Sequence, residues 1–165
     1  MQKQKGFSLI ELLIVVAIIL IIAAIAIPNL LRSKIAANEA SAVGSIRTIN
    51  TAQVTYSSSW GTGYATALGV LGGASPCSAA AATACLIDPI LTAGTKSGYT
   101  FTTVATLQQG TVFNGFEVAG NPATRGTTGQ RSFCSDQTGV IKFDPAADIV
   151  AAVGACNAVA LALGN

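Results

Sequence analysis

Residues Leu12–Ile27 form an unbroken apolar run, and counted back to Phe7 the stretch holds only two polar side chains, Ser8 and Glu11. Coiled as a helix at about 1.5 Å per residue, it spans roughly 30 Å, the thickness of bilayer hydrocarbon. The segment is therefore expected to cross a membrane. Lys3 and Lys5 precede it, which by the positive-inside rule puts the amino terminus in the cytoplasm and the rest of the chain outside. A secretory signal peptide is the competing reading, because Ala24-Ile25-Ala26 imitates a cleavage region. Against it, the run is longer than a usual signal core, Pro28 follows at once, and the pattern beyond stays helical.

From Leu31 the apolar residues retreat to one stripe. Ile35, Ala42, Ile49 and Tyr56 recur every seven residues with Ile46 among them, while Arg32, Lys34, Asn38, Glu39 and Arg47 read as mostly elsewhere. An amphipathic helix thus continues the apolar one. Pro28 removes one backbone donor and crowds the preceding turn, which predicts a kink and not a stop. The helix is expected to end near Ser57-Ser58-Ser59 and the Gly61-Thr62-Gly63 cluster. At about fifty residues it would be roughly 75 Å long, far more than a small domain buries, so half of it must pack outside its own chain.

Beyond Trp60 the composition shifts to Gly, Ser, Thr and Ala, with a loop through Gly72-Gly73-Ala74-Ser75-Pro76 and a short helical turn at Ala79–Ala82. Strand-like runs follow at Gly98–Val104, Val112–Ala119, Gln130–Ser135 and Val140–Phe143. They predict an α+β fold in which a meander of about four antiparallel strands packs on the amphipathic half of the helix. The apolar tail Ala146–Leu163 is interrupted by Asp148, Gly154, Cys156 and Asn157, and is expected to fold back onto the domain.

Composition narrows the chemistry. There is no histidine, so the commonest general base and metal ligand are both missing. Outside Lys3 and Lys5, seven basic residues stand against seven acidic ones, a neutral body unlike a nucleic-acid footprint. Four cysteines without CxxC spacing fit two disulfides in an oxidising compartment better than zinc. Gly61-x-Gly63 opens no dinucleotide site, because Thr66 stands at the third glycine and a helix precedes it. No enzyme activity, cofactor or metal is expected.

The segment Lys5-Gly6-Phe7-Ser8-Leu9-Ile10-Glu11-Leu12-Leu13-Ile14-Val15-Val16 resembles the prepilin cleavage and methylation motif of type IV pilins and related pseudopilins. The resemblance is specific from Lys5 to about Asn29 and beyond that concerns only the general order of helix, sheet and cysteine-stapled end. It implies cleavage between Gly6 and Phe7 by a membrane-embedded prepilin peptidase, and methylation of the new Phe7 amino group. It implies a pairing of Glu11 with the Phe7 amine of a neighbouring copy. The chain then divides into a leader 1–6, a transmembrane and filament-core helix 7–29, an amphipathic continuation 30–59 and a globular domain 60–165. Of three possible cysteine pairings, closeness along the chain and likeness to pilins with a stapled carboxy-terminal loop favour Cys77–Cys85 and Cys134–Cys156.

Glu11 also has a local reading. Ser8-Leu9-Ile10-Glu11 matches a capping box, in which the Glu11 side chain accepts from the Ser8 amide. The two roles do not exclude each other, and the Gly6-Phe7 context favours the filament role. A carboxylate inside bilayer hydrocarbon costs on the order of 2.5–3.5 kcal/mol, less near the end of the span, so this one needs a partner.

The function expected from the resemblance is a structural subunit of a pilus for adhesion, surface motility or DNA uptake. Its partners would be further copies of itself, the assembly machinery and minor pilins. It would sit in the inner membrane before assembly and outside the cell after it. The alternatives are a secretion-system pseudopilin and a membrane-anchored or secreted binding domain. Calcium at Asp136, Asp144 and Asp148 would suit some pseudopilins, although aspartates beside turns are ordinary turn residues.

Overall fold

A computed structural model describes residues 7–74 and 76–163. The first element, α1, runs from Leu9 to Trp60 with Pro28 inside it, so the proline does not end the helix. At its start the Ser8 amide donates to Glu11 Oε2 at 2.9 Å. At its end Gly61 takes a left-handed φ of 66° and donates to the Ser57 carbonyl at 3.2 Å. Such a φ is easy for a residue without a Cβ and closes the helix there. The chain forms two compact units, divided between Lys34 and Ile35.

In the second unit, the buried face of α1 carries Glu39, Ala42, Ser45, Ile46, Ile49, Ala52, Gln53 and Tyr56. Glu39 was expected off the stripe, but steps of 4 and 3 connect 35, 39, 42, 46, 49, 53 and 56, and Glu39 and Gln53 fill two of those places. Both are satisfied by hydrogen bonds. Glu39 Oε1 accepts from the amides of Gln130 (2.9 Å) and Arg131 (3.1 Å). Its Oε2 meets the Arg131 guanidinium at 2.8 and 2.7 Å. Gln53 exchanges two bonds with the Ala65 backbone, at 2.8 and 3.0 Å, tying the loop after α1 back to the helix.

The sheet is an antiparallel meander of six strands in the order β1 to β6: Thr95–Lys96, Tyr99–Gln109, Val112–Pro122, Ser132–Asp136, Lys142–Asp144 and Leu161–Ala162. The four expected strands are its centre. The two additional ones are two-residue edge strands, too short for any alternation of side chains to reveal them. Three short helices, α2 (Leu68–Leu71), α3 (Pro89–Thr92) and α4 (Ala155–Ala158), sit in the connections. Ala79–Ala82 is not a helical turn, since Ala80 and Thr83 pair across a tight turn whose Ala81 carbonyl receives the Tyr56 hydroxyl at 2.8 Å.

Both faces of the central strands are covered, which is why β4 is buried throughout and β3 buried from Gly115 to Gly120. On one face Tyr99, Phe101, Phe116, Val118 and Phe133 pack with Ala42, Ile46 and Ile49 of α1. Gly120 lies under this contact, where a Cβ would come within 2.9 Å of the Phe101 ring and 3.4 Å of the Ile46 methyl. On the other face Ala119 and Cys134 pack with Ile149 and Cys156 of the returning tail. Asn121 brackets that tail through the Ile149 amide and carbonyl, both at 2.9 Å. Buried Glu117 accepts from the amides of Gly154 and Cys156. Cys77 is joined to Cys85 and Cys134 to Cys156, with Cα separations of 6.0 and 5.6 Å.

Burial pushes the Glu39 carboxyl up, but the amides of Gln130 and Arg131 and the Arg131 guanidinium outweigh it, so the group sits below its ordinary value. The stability it contributes is therefore present above its unfolded value of about 4.3 and is lost as the pH falls through the lower folded value. Burial, with the Glu39 charge second, pushes the Tyr99 phenol up to about 12, and its hydroxyl donates to the Arg131 carbonyl at 2.8 Å. Glu39→Ala strands two amides and a guanidinium and is expected to destabilise the globular unit by about 2–4 kcal/mol in denaturant unfolding. Glu39→Gln is expected to flatten the fall in melting temperature below about pH 4. A fall as steep as in the wild type would assign that acid sensitivity elsewhere.

Candidate functional site

The candidate site is the first unit, where residues 7–34 pack almost nothing. Seventeen large apolar side chains from Phe7 to Leu31 are exposed, among them Phe7 at 82%, Leu9 at 75% and Leu30 at 70%. Covering even half of a Leu or Ile side chain is worth about 1 kcal/mol, so this surface represents tens of kilocalories per mole of unrealised burial. The helix is long and apolar enough to cross a membrane. Leu and Ala favour the helix intrinsically, whereas the many Ile and Val residues do not, so apolar surroundings must supply what propensity lacks.

Glu11 is the single charge between Phe7 and Leu31. Its Oε2 takes the Ser8 amide, half of the capping box, and the Leu12 amide bonds the Ser8 carbonyl at 3.2 Å. Among the described residues the reciprocal bond from the Glu11 amide to Ser8 Oγ is not formed, and Oε1 is left for another donor. The local role and a role toward a neighbour are thus compatible, one oxygen each. Phe7 lies one residue before Ser8, so a cationic amine at Phe7 would stand at the same helix end. Gly6 and the rest of the leader 1–6 lie outside the described residues. Pro28 has no amide hydrogen, which leaves the Ala24 carbonyl without its helical donor among the small residues Ala23, Ala24 and Ala26.

The remaining candidates do not converge on chemistry. Asp136 holds the Thr138 amide and hydroxyl at 2.8 and 2.5 Å. Asp144 Oδ1 accepts from the amides of Ala146 and Ala147, both at 2.8 Å. Asp148 pairs with Arg125 at 2.6 Å. Each works separately, and among the described residues no three His, Cys, Asp or Glu side chains group as metal ligands. Gly61 closes α1, and Gly63 lies against the Phe113 backbone, where a Cβ would come within 2.1 Å of the carbonyl oxygen. Glu117 went unnoticed in the sequence, because an acid between Phe116 and Val118 carries no local sign of the amides it will meet.

Residues 1–27 match the family model described as the prokaryotic N-terminal methylation motif. The chain is 62% identical over 39 residues to the type IV wide pilus major component PilA4 of Thermus thermophilus. That match covers 24% of this chain and 30% of the relative. It is 45% identical over 54 residues to the type IV major pilin protein PilA of Myxococcus xanthus, across 33% of this chain and 24% of the relative. The chain therefore matches less than a third of either relative's length. No solved structure matches it.

Proposed function

We propose that this chain is the structural subunit of a type IV pilus-like filament and performs no catalysis. The observation that carries the reading is the uncovered apolar helix with a single carboxylate near its start, joined to a globular unit whose own core is complete. Such a chain can rest in a bilayer and later exchange lipid for copies of the same helix, because burial is non-directional and one apolar partner replaces another. The methylation motif and the two pilin relatives support the same reading.

In this mechanism a prepilin peptidase cuts between Gly6 and Phe7 on the cytoplasmic side and methylates the Phe7 amine. Cleavage creates a cation for Glu11, which pairs with none among the described residues. An incoming subunit presents the free Oε1 of Glu11 to the Phe7 amine of another copy, and the desolvation of each charge is offset by the other. The pair fixes the axial register of otherwise interchangeable apolar helices. The loosened turn before Pro28 gives the packed helices room to adjust. The subunit is held in the inner membrane with its amino terminus cytoplasmic before assembly and is extracellular afterwards. Assembly machinery and minor pilins are the implied partners, and adhesion, motility or DNA uptake the implied uses. A secretion-system pseudopilin is the second reading, favoured by the same motif.

Intact mass and amino-terminal sequencing of sheared surface filaments test the proposal. The expected mature chain starts at Phe7 and carries a methyl group. Glu11→Ala is expected to leave the subunit processed in the membrane while filaments fall at least tenfold. A start at Ile27, or an uncut leader on the mature protein, would return the chain to the secreted or anchored class.

A further inference from the structure

Eight of the fourteen charged side chains beyond residue 6 are committed within the chain. Among the described residues Lys96, Arg125 and Arg131 pair with Asp88, Asp148 and Glu39, while Glu117 and Asp136 are buried on backbone and hydroxyl donors. Among the described residues four carboxylates keep an oxygen free of these bonds: Glu11 near the start of α1, Asp136 and Asp148, each bonded through Oδ1 alone, and Asp144 on β5, whose Oδ1 takes the amides of Ala146 and Ala147 and which faces no cation. Those amides hold the Asp144 carboxyl below its ordinary value, so it stays charged. Among the described residues Arg32, Lys34, Arg47 and Lys142 make no ion pair.

Asp144 lines a groove of about 590 Å³ in the globular unit, between β5, β6 and the returning tail, together with Asp148, which is already paired with Arg125. Phe143, Ile149, Val159 and Leu161 give it an apolar lining, and Val150 on its edge is 74% exposed. Lys142 does not line it. On α1, Ile27, Leu30, Leu31 and Lys34 share one helix face by their spacing of three and four. Leu30 and Leu31 are 70% and 54% exposed. An apolar helix face that carries a cation complements an apolar groove that holds a carboxylate without a cation partner, which is the helix-in-groove mode of recognition.

We propose that this groove receives residues 27–34 of a second copy of the chain, with the Lys34 ammonium of that copy on Asp144. The inference rests on the filament reading and adds to it a second point of register, outside the apolar core. In it the Glu11 contact fixes one end of the helix and the Lys34 contact the other. A subunit with the correct start but the wrong neighbour spacing cannot satisfy both.

Charge exchange in the full-length chain tests it, read as filament yield in sheared fractions. Lys34→Glu is expected to lower the yield at least fivefold, and Asp144→Lys combined with Lys34→Glu to restore it to within twofold of wild type. Asp144→Asn keeps the acceptor for the Ala146 and Ala147 amides and so guards against a folding defect, and it is expected to lower the yield about threefold. Arg32, two residues away and off the shared face, is the control: Arg32→Glu is expected to change little. Zero-length carbodiimide treatment of wild-type filaments is expected to join Lys34 to Asp144 between chains. Unchanged yield in Lys34→Glu, an equal loss in Arg32→Glu, failure of the exchange to restore, or a Lys34 crosslink to a different protein would each overturn the docking while wild-type filaments still stand. Absence of filaments from the wild type would instead sink the filament reading and this inference with it.

Discussion

Everything in this chain follows from a helix whose first half has no cover of its own. Exposed apolar surface in water is unfavourable by about 25 cal/mol per Å², and residues 7–31 present it on every side. A single-sided stripe would ask for one partner, whereas an all-round apolar surface asks for a solvent, which lipid or a bundle of like helices can supply. The globular unit then has to be stable without help from that segment. It achieves this by covering its sheet twice, with Ile46 and Ile49 on one face and the returning tail with Ile149 and Cys156 on the other.

Polar groups inside the globular unit attach each covering layer at a defined place. Glu39 on α1 collects two backbone amides and one guanidinium from the segment before β4. Glu117 on β3 collects the amides of Gly154 and Cys156, and Asn121 brackets Ile149 four residues further along the strand. Apolar contacts alone tolerate sliding, because one methyl group is as good a neighbour as another. A buried carboxylate does not, since any shift leaves it unpaired at a penalty of several kilocalories per mole. The Cys134–Cys156 bridge lies between the two acceptors of the tail and shortens the search that brings them into place.

The helix, its apolar stripe and the central strands were legible in the sequence because each rests on a local period. The apolar run, the stripe through Ile46 and Ile49, and the alternation Tyr99, Phe101, Thr103 all declare themselves within a few residues. What was not legible depends on residues far apart. Glu39 meets Arg131 across 92 positions, and its charge made it look solvent-facing although its spacing placed it on the stripe. The edge strands β1 and β6 exist because neighbours lend them hydrogen bonds, and two residues carry no period. Ala79–Ala82 reads as helix by propensity, but Tyr56 and the short Cys77–Cys85 loop impose a tight turn there. At the candidate site, Ser8 and Glu11 were legible as a local device, while the free oxygen of Glu11 is a fact of geometry.

Charge economy ties the two units together. Beyond residue 6 the chain carries seven basic and seven acidic side chains, so close packing of many copies accumulates no net charge from them. A strongly charged subunit would repel itself at every contact of a filament, and salt screening fades within a Debye length of about 8 Å, the scale of such contacts. Neutrality alone gives no orientation, however. Orientation needs a few charges left unsatisfied in the single chain and satisfied only between chains. On the filament and docking readings proposed above, Glu11, Lys34 and Asp144 would be charges of that kind, at the two ends of the uncovered helix and in the lining of the groove. On this view the economy of charge in the composition is what makes the few free charges informative, since in a crowded electrostatic surface no single pair could fix a register.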